Sequence, residues 1–135
     1  MFFNLCVGNN DSHSKNLSLY SVPGQGVTLT PFYDLTCTRL YPGLSPEFAF
    51  AIGGQTRPGE VSAEHLALMA QQLGMQPRFL VRQAAEMADR LGPAMSQAVL
   101  ELAPALSPAA QSLAERLERF VQSATKKLAI RLAEG

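Results

Sequence analysis

Gly8-Asn-Asn-Asp-Ser-His-Ser-Lys-Asn16 is the stretch on which the fold of this chain depends. It is the densest polar cluster in the sequence, and it lies between the apolar segment 1–7 and a strand-like segment. Asn, Asp and Ser are common in turns, so a surface loop without a chemical task is one interpretation. The neighbouring segments decide between that interpretation and a catalytic loop.

A β-hairpin is predicted directly after this cluster. Residues 16–20 and 27–30 alternate apolar and polar side chains on either side of the turn formers at 23–26. A hairpin returns the chain to the point from which it left. Asn16 and the segment that carries Asp34 are therefore expected at the same end of the hairpin.

Asp11 and Asn16 are separated by five positions. Protein kinases use this spacing because the aspartate accepts the proton of the substrate hydroxyl, while the asparagine reaches the magnesium held on ATP. In such enzymes a second aspartate completes the metal site, since magnesium prefers hard oxygen ligands shared with phosphate oxygens. Asp34 follows the predicted hairpin and has that position in the order. The order and topology of the three residues favour a kinase catalytic loop.

Two parts of the sequence resemble the HipA family of bacterial serine/threonine kinases. GNNDSHSKN (8–16), followed by the hairpin and PFYDLTCTRLYP (31–42), is similar to the catalytic and metal-binding segments of that family. FAFAIGGQTRPGEVSAEHLALMAQQLGM (48–75) is similar to its C-terminal part. The resemblance implies a mainly α fold, a kinase C-lobe-like helical domain with a short β-hairpin after the catalytic loop. The whole chain, 1–135, would form this subdomain, with the catalytic loop, hairpin and metal-binding segment in 1–60 and the helical part in 61–135.

The resemblance also implies roles for five residues. Asp11 is the catalytic base, and His13 and Lys15 are catalytic residues that support the loop or contact phosphate. Asn16 and Asp34 bind the cofactor and hold the metal, so the implied cofactors are ATP and Mg²⁺. The simpler alternatives are that His13 is a structural hydrogen-bonding residue and that Lys15 is a solvated loop lysine.

Partners are implied by the same resemblance. Members of the family are toxins of toxin-antitoxin modules that phosphorylate serine or threonine in a cytoplasmic protein, glutamyl-tRNA synthetase being the best-known target. A HipB-like antitoxin and a protein substrate such as an aminoacyl-tRNA synthetase are therefore expected. Family members also carry an N-lobe with a phosphate-covering loop and a nucleotide-positioning lysine, which residues 1–10 do not supply. We expect the N-lobe to be absent, the chain to be inactive alone, and an N-lobe polypeptide or self-association to complete it.

Residues 61–135 are rich in Ala, Leu, Gln, Glu and Arg, which favours helices. Apolar spacing and capping residues predict a helix from Ser62 to Gly74, a second from Pro77 that is interrupted at Gly92-Pro93, a further stretch over 94–102, and a last helix after Pro108. His65, near the start of the first of these, is expected to be exposed to solvent.

Composition limits the function classes. The chain has 11 basic and 11 acidic side chains, so no overall field attracts nucleic acid or an anionic membrane. No apolar run approaches the length of a membrane span, and the first residues lack the basic segment of a signal peptide, which predicts a soluble cytoplasmic protein. Cys6 and Cys37 lack metal-binding spacing, so they are expected to be small buried hydrophobes.

Several alternatives stay open. Arg39 and Arg57 bind phosphate or a peptide, or they are ordinary surface residues. The basic residues 126, 127 and 131 could indicate nucleic acid, but cations are common near helix C-termini, and no direct nucleic-acid binding is expected. A truncated remnant or regulatory binding module without activity is the alternative function. A binuclear phosphoesterase is disfavoured because the chain has only two histidines.

Overall fold

The structure, a computed structural model, describes residues 1–135 and is mainly helical. Its elements are α1 (Phe2–Val7), a hairpin of β1 (Leu19–Val22) and β2 (Gly26–Leu29), α2 (Ala63–Gln72), α3 (Pro77–Leu102) and α4 (Pro108–Ala133). Short 3₁₀ turns lie at Ser14–Asn16, Thr38–Leu40, Pro58–Glu60 and Ala103–Ala105. The predicted fold class, a mainly α domain with a short hairpin, is confirmed.

The long helices begin where proline and capping residues specify. Pro77 and Pro108 occupy the first turns of α3 and α4, where a missing N–H removes no hydrogen bond. Ser107 caps α4 by accepting a hydrogen bond from the Ala110 N–H at 3.3 Å. Ser62 and His65 cap α2 reciprocally, with the His65 Nδ1 accepting from the Ser62 N–H at 3.2 Å. The expectation that His65 is simply exposed was wrong, because its ring is half-buried in this cap.

Helix α3 is continuous through Gly92 and Pro93, where the sequence predicted an interruption. Proline in a helix interior removes one hydrogen bond and crowds the preceding turn. Gly92 is buried at the contact with α4, and a Cβ there would lie 3.6 Å from the Thr125 hydroxyl oxygen. Packing of α3 along α4 therefore keeps the two predicted segments in one helix.

One apolar core joins all four helices. Sixteen buried apolar residues form a single cluster. Leu66 of α2 and Val121 of α4 are fully buried, as are Ile52 and Val61 of the connecting segment. Leu5 in α1 belongs to the same cluster, so the segment that leads into the polar loop is anchored in the core. None of the helices combines the length and apolarity that a membrane crossing requires.

The hairpin projects from this helical body. Its strands are antiparallel, with Leu19 opposite Leu29 and Val22 opposite Gly26. All strand residues are exposed except the half-buried Val22. The strands begin and end a few residues away from the predicted 16–20 and 27–30, because Asn16 lies in a 3₁₀ turn.

Candidate functional site

The polar loop begins at a glycine that no other residue could replace without strain. Gly8 ends α1 with φ of 73°, in the left-handed region. A Cβ at this position would lie 2.6 Å from the Phe120 ring of α4 and 2.9 Å from the Arg39 side chain. The entry into the loop is thus fixed by close contact with the last helix.

Two buried asparagines connect the loop to the returning segment. The Asn9 side chain donates to the Asp34 carbonyl oxygen at 2.8 Å, and Asn9 is only 2% exposed. The Asn10 side chain donates to the Ser45 carbonyl at 3.2 Å, and the Asn10 N–H donates to the Thr38 hydroxyl at 3.0 Å. Buried amides that use their donors in this way hold both backbones in place. The loop and the segment around Asp34 therefore form one unit.

Asn16 and Asp34 are in direct contact. The Asn16 Nδ2 donates to the Asp34 Oδ2 at 2.9 Å and lies 3.3 Å from the Asp11 carbonyl oxygen, which also accepts. Both donor hydrogens of the amide are used, so its Oδ1 is the atom that it presents to solvent. The hairpin geometry predicted this proximity from the sequence. The two side chains together present three oxygen atoms.

Asp34 has an unusual backbone conformation. Its φ is 56°, and it is the only residue other than glycine with a positive φ in the chain. The left-handed region is unfavourable for most L-residues, although Asp and Asn adopt it more readily than others. Such outliers persist where surrounding contacts hold them, and they are concentrated at functional sites. Here the Asn9 side chain supplies one of the holding contacts.

The structure places the other predicted site residues on the same loop but does not bring them all together. Asp11 is exposed, and the His13 Nε2 lies 3.9 Å from its Oδ1, beyond hydrogen-bonding distance. The His13 Nδ1 is buried and has no hydrogen-bond partner in the chain. Lys15 is exposed, and its carbonyl oxygen accepts a hydrogen bond from the Tyr33 hydroxyl at 2.9 Å. The Lys15 ammonium forms no ion pair with any carboxylate of the chain.

The Asn16 and Asp34 oxygens fit a magnesium ion. Magnesium takes hard oxygen ligands and is commonly held by one or two protein groups together with waters and substrate phosphates. The chain has no group of three His, Cys, Asp or Glu side chains that could hold a metal by themselves. A carboxylate and an amide oxygen therefore suit an ion shared with a nucleotide, whereas a site built only from protein ligands would need more donors.

Comparison with known proteins gives independent information about this arrangement. Residues 1–99 match the family model of the HipA-like C-terminal domain. The chain belongs to the HipA-like C-terminal domain family. The resemblance found in the sequence is thereby confirmed, and it includes both the loop and the Asp34 segment.

Curated members of this family include kinases. The HipA-like chain is 33% identical over 100 residues to the serine/threonine-protein kinase toxin HipA of Shewanella oneidensis, a match that spans 74% of the chain and 23% of the relative. It is 34% identical over 97 residues to the kinase-like protein Y4mE of Sinorhizobium fredii, over 72% of the chain and 23% of that relative. The chain thus spans about a quarter of the length of the relatives that it matches.

A solved structure has the same fold. The HipA-like chain superposes with a TM-score of 0.85 and 28% identity on a chain of the Shewanella oneidensis MR-1 toxin-antitoxin complex of HipA, HipB and operator DNA. The match covers 98% of this chain and 31% of the other. At this coverage it takes in α4, which lies entirely beyond the residues matched by the family model.

Sequence reasoning missed the residues that hold the HipA-like site in place. Asn9 and Asn10 were interpreted only as part of a polar cluster, yet they are buried and connect three segments. Thr38 was not singled out, although its hydroxyl donates to the Gly8 carbonyl at 3.1 Å. The available signal was their position, because two consecutive asparagines follow the apolar segment 1–7 after a single glycine, where turn-forming polar residues would normally be exposed.

Proposed function

We propose that this chain is the C-terminal catalytic subdomain of a HipA-like serine/threonine protein kinase, the toxin of a toxin-antitoxin module. It would transfer the γ-phosphate of ATP to a serine or threonine of a protein substrate. The nucleotide-covering N-lobe would come from residues outside these 135, so the subdomain alone is expected to be inactive. The observation that carries the proposal is the contact of Asn16 with Asp34 on a loop that also presents Asp11.

Each residue has a role that its position supports. Asp11 is exposed within the loop, where its carboxylate can accept the proton of an incoming substrate hydroxyl. The Asn16 Oδ1 and the Asp34 carboxylate would hold Mg²⁺, which when bound neutralises charge on the phosphate oxygens. His13, whose Nε2 lies 3.9 Å from the Asp11 Oδ1, would support the loop, and Lys15, exposed without an ion-pair partner, would contact phosphate.

One of the proposed partners is supported by the solved relative. The matched structure is a complex of HipA with HipB and DNA, so we propose a HipB-like antitoxin as partner of the protein that contains this chain. A cytoplasmic protein, such as an aminoacyl-tRNA synthetase, is the proposed class of substrate. These proposals concern the whole protein, since the chain spans 23% of its curated relatives.

The decisive substitution is Asp34→Asn. Asparagine adopts the left-handed conformation about as readily as aspartate, so the backbone is retained while the negative charge is lost. In the chain combined with its N-lobe, transfer of ³²P from ATP to a protein substrate should fall by about a hundredfold or more. Asp11→Asn should have a similar effect, because it removes the proton acceptor.

Asp89→Asn is the matched control, since Asp89 is an exposed aspartate on α3 outside the loop. Its activity should equal that of the unmodified protein. Full activity of Asp34→Asn would refute the metal role. Binding of ATP and Mg²⁺ by the unmodified assembly without any phosphoryl transfer would instead support the alternative of a non-catalytic binding module.

A further inference from the structure

A cavity lies between the start of the polar loop and α4. Its volume is about 490 Å³, within the range of small-molecule sites, and Gly8 and Phe120 are among its lining residues. Four cationic side chains line it, those of Arg39, Arg57, Lys127 and Arg131, against the single carboxylate of Glu60. The chain as a whole has no net charge, so this positive lining is a local feature.

Three of the four cations have no carboxylate partner. Arg57 is paired, with its Nη1 3.3 Å from the Glu60 Oε1 and its Nε 3.9 Å from the Glu47 Oε1. None of the ion pairs within the chain includes Arg39, Lys127 or Arg131. Four cations gathered in a concave site with one carboxylate leave an excess of positive charge, and low-dielectric walls focus the field of that charge on an anion.

Helix α4 contributes a line of hydrogen-bond donors. Ser123, Lys127 and Arg131 are spaced four residues apart, so they lie along one face of the helix, and all three line the cavity. Two like charges at this spacing repel each other in the absence of a ligand. Arg131 is also held in place, because its Nε donates to the Val61 carbonyl at 2.9 Å. Its remaining guanidinium donors are thereby presented at a fixed position.

The cavity also has an apolar part. Leu5, Phe120 and Leu128 line it beside the donors, and the Phe120 ring is half-buried against Gly8. A ligand that matches both parts carries a multiply charged anion on a small carbon framework. A phosphate monoester has this chemistry, since it carries close to two negative charges and three acceptor oxygens near neutral pH. A carboxylate supplies only one charge and two oxygens.

We propose that this cavity is a binding site for a phosphate monoester group. Its phosphate would contact Arg39, Lys127 and Arg131, and its carbon part would lie against Phe120. The site is separate from the proposed kinase centre, because Asp11, Asn16 and Asp34 do not line it. It adjoins that centre, since the Arg39 N–H donates to the Gly8 carbonyl at 3.2 Å. The proposal does not depend on kinase activity.

The test is isothermal titration calorimetry of the full chain with phenyl phosphate, inorganic phosphate and phenol. Phenyl phosphate should bind more tightly than inorganic phosphate, and phenol should not bind. Lys127→Glu should weaken binding of phenyl phosphate by about tenfold or more, because it reverses the charge of one contact. Arg39→Gln should also weaken it.

Lys126→Glu is the matched control, since Lys126 is the exposed neighbour of Lys127 on α4 and does not line the cavity. It makes the same change of net charge and should leave binding within about twofold. Equal losses from both variants would overturn the proposal, as would the absence of phenyl phosphate binding at millimolar concentration. Asp34→Asn should bind phenyl phosphate normally, so a failed kinase proposal and a failed cavity proposal give different results.

The source of the phosphate group is distinguished by two further ligands. Adenosine monophosphate carries the group on a nucleoside, and a phosphoserine peptide carries it on a polypeptide. Tighter binding of the nucleotide would assign the site to a free metabolite, and tighter binding of the peptide would assign it to a phosphorylated protein segment. In both cases Lys127→Glu should weaken the tighter ligand, and an unaffected affinity would overturn the proposal.

Discussion

Gly8 joins three features of the molecule at the scale of a single residue. It ends α1, adopts a positive φ, and lies against Phe120 and Arg39. Gly8→Ala should lower the free energy of unfolding by about 3 kcal/mol or more, because backbone strain and overpacking add. Urea denaturation monitored by circular dichroism measures the change.

Gly24→Ala provides the comparison. Gly24 has a similar φ of 78°, but a Cβ there would meet nothing within 4 Å. Backbone strain alone should lower the free energy of unfolding of this variant, by about 1 kcal/mol. Equal losses at the two positions would mean that contact with α4 does not determine how the loop begins.

Cys6 predicts a dependence of stability on alkaline pH. The thiol is buried in the core, and burial raises its pKa from 9.0 to about 11. Between pH 9 and about pH 11 the thiol therefore keeps its proton in the folded state but loses it in the unfolded chain. The contribution of the protonated thiol to the free energy of unfolding is complete below the unfolded pKa and disappears as pH rises through the folded pKa. The decline in the free energy of unfolding over this pH range should be roughly 2 to 3 kcal/mol greater than in a protein that lacks this thiol.

The Cys6→Ala variant lacks the thiol and provides the comparison. It should be less stable near neutral pH by about 1 kcal/mol, since one buried sulfur is removed. Its stability should then decline less between about pH 9 and pH 11, and unfolding curves at several pH values measure both slopes. Identical slopes would show that the thiol is not shielded in the fold.

Residue-level features were only partly accessible from the sequence. The spacing of Asp11 and Asn16 could be identified because it is a separation in sequence. The left-handed conformation of Asp34 could not, since one of the contacts that hold it comes from the side chain of Asn9, 25 positions away. The burial of Asn9 itself depends on how α1 packs in the core.

At the scale of elements, α3 contains a proline in its interior, Pro93. The helix is continuous from Pro77 to Leu102 although Pro93 lies in its interior. Pro93→Ala should stabilise the protein by about 1 to 2 kcal/mol, because it restores a backbone N–H and removes crowding, less the loss of proline's rigidity in the unfolded chain. Thermal and urea denaturation measure the gain.

Pro77→Ala is the control at the start of the same helix. A first-turn proline removes no hydrogen bond, so this variant should change stability by less than about 0.5 kcal/mol. A loss of stability in Pro93→Ala would show that the proline ring itself is needed where α3 runs beside α4.

The element-level prediction failed at this point for a physical reason. Local propensity favours two helices separated at Gly92-Pro93, and only packing against α4 makes one helix more favourable. By contrast, the starts of α2 and α4 were predictable, because Ser62 and Ser107 act through hydrogen bonds within three residues. Features determined by neighbours in sequence could be predicted, and features determined by a distant helix could not.

At the scale of the whole molecule, the hairpin presents an uncovered apolar face. Leu19 and Leu29 are paired across the strands, and Val27 lies two residues from Leu29 on the same face. Leu19 and Val27 are 67% and 66% exposed. A two-stranded hairpin is only marginally stable in water, so an apolar face of this kind favours association.

We therefore expect the isolated chain to self-associate, and Leu19→Thr combined with Val27→Thr to shift it toward the monomer. Threonine retains the preference for strands while reducing the apolar surface. Size-exclusion chromatography with light scattering measures the mass. Leu100→Gln, at an exposed helical position of 69% exposure, should leave the mass unchanged. A monomeric unmodified chain would contradict the expectation.

The bonds beneath the hairpin have a practical consequence for protein engineering. The Tyr33 hydroxyl joins Ser18 at 2.7 Å and the Lys15 carbonyl at 2.9 Å, and Asn9 independently holds the Asp34 backbone. The turn at 23–26 is exposed and lies beyond all of these contacts. A fluorescent or ligand-sensing domain could be inserted there without displacing the side chains of Asn16 and Asp34, which would make the hairpin an attachment point for a reporter.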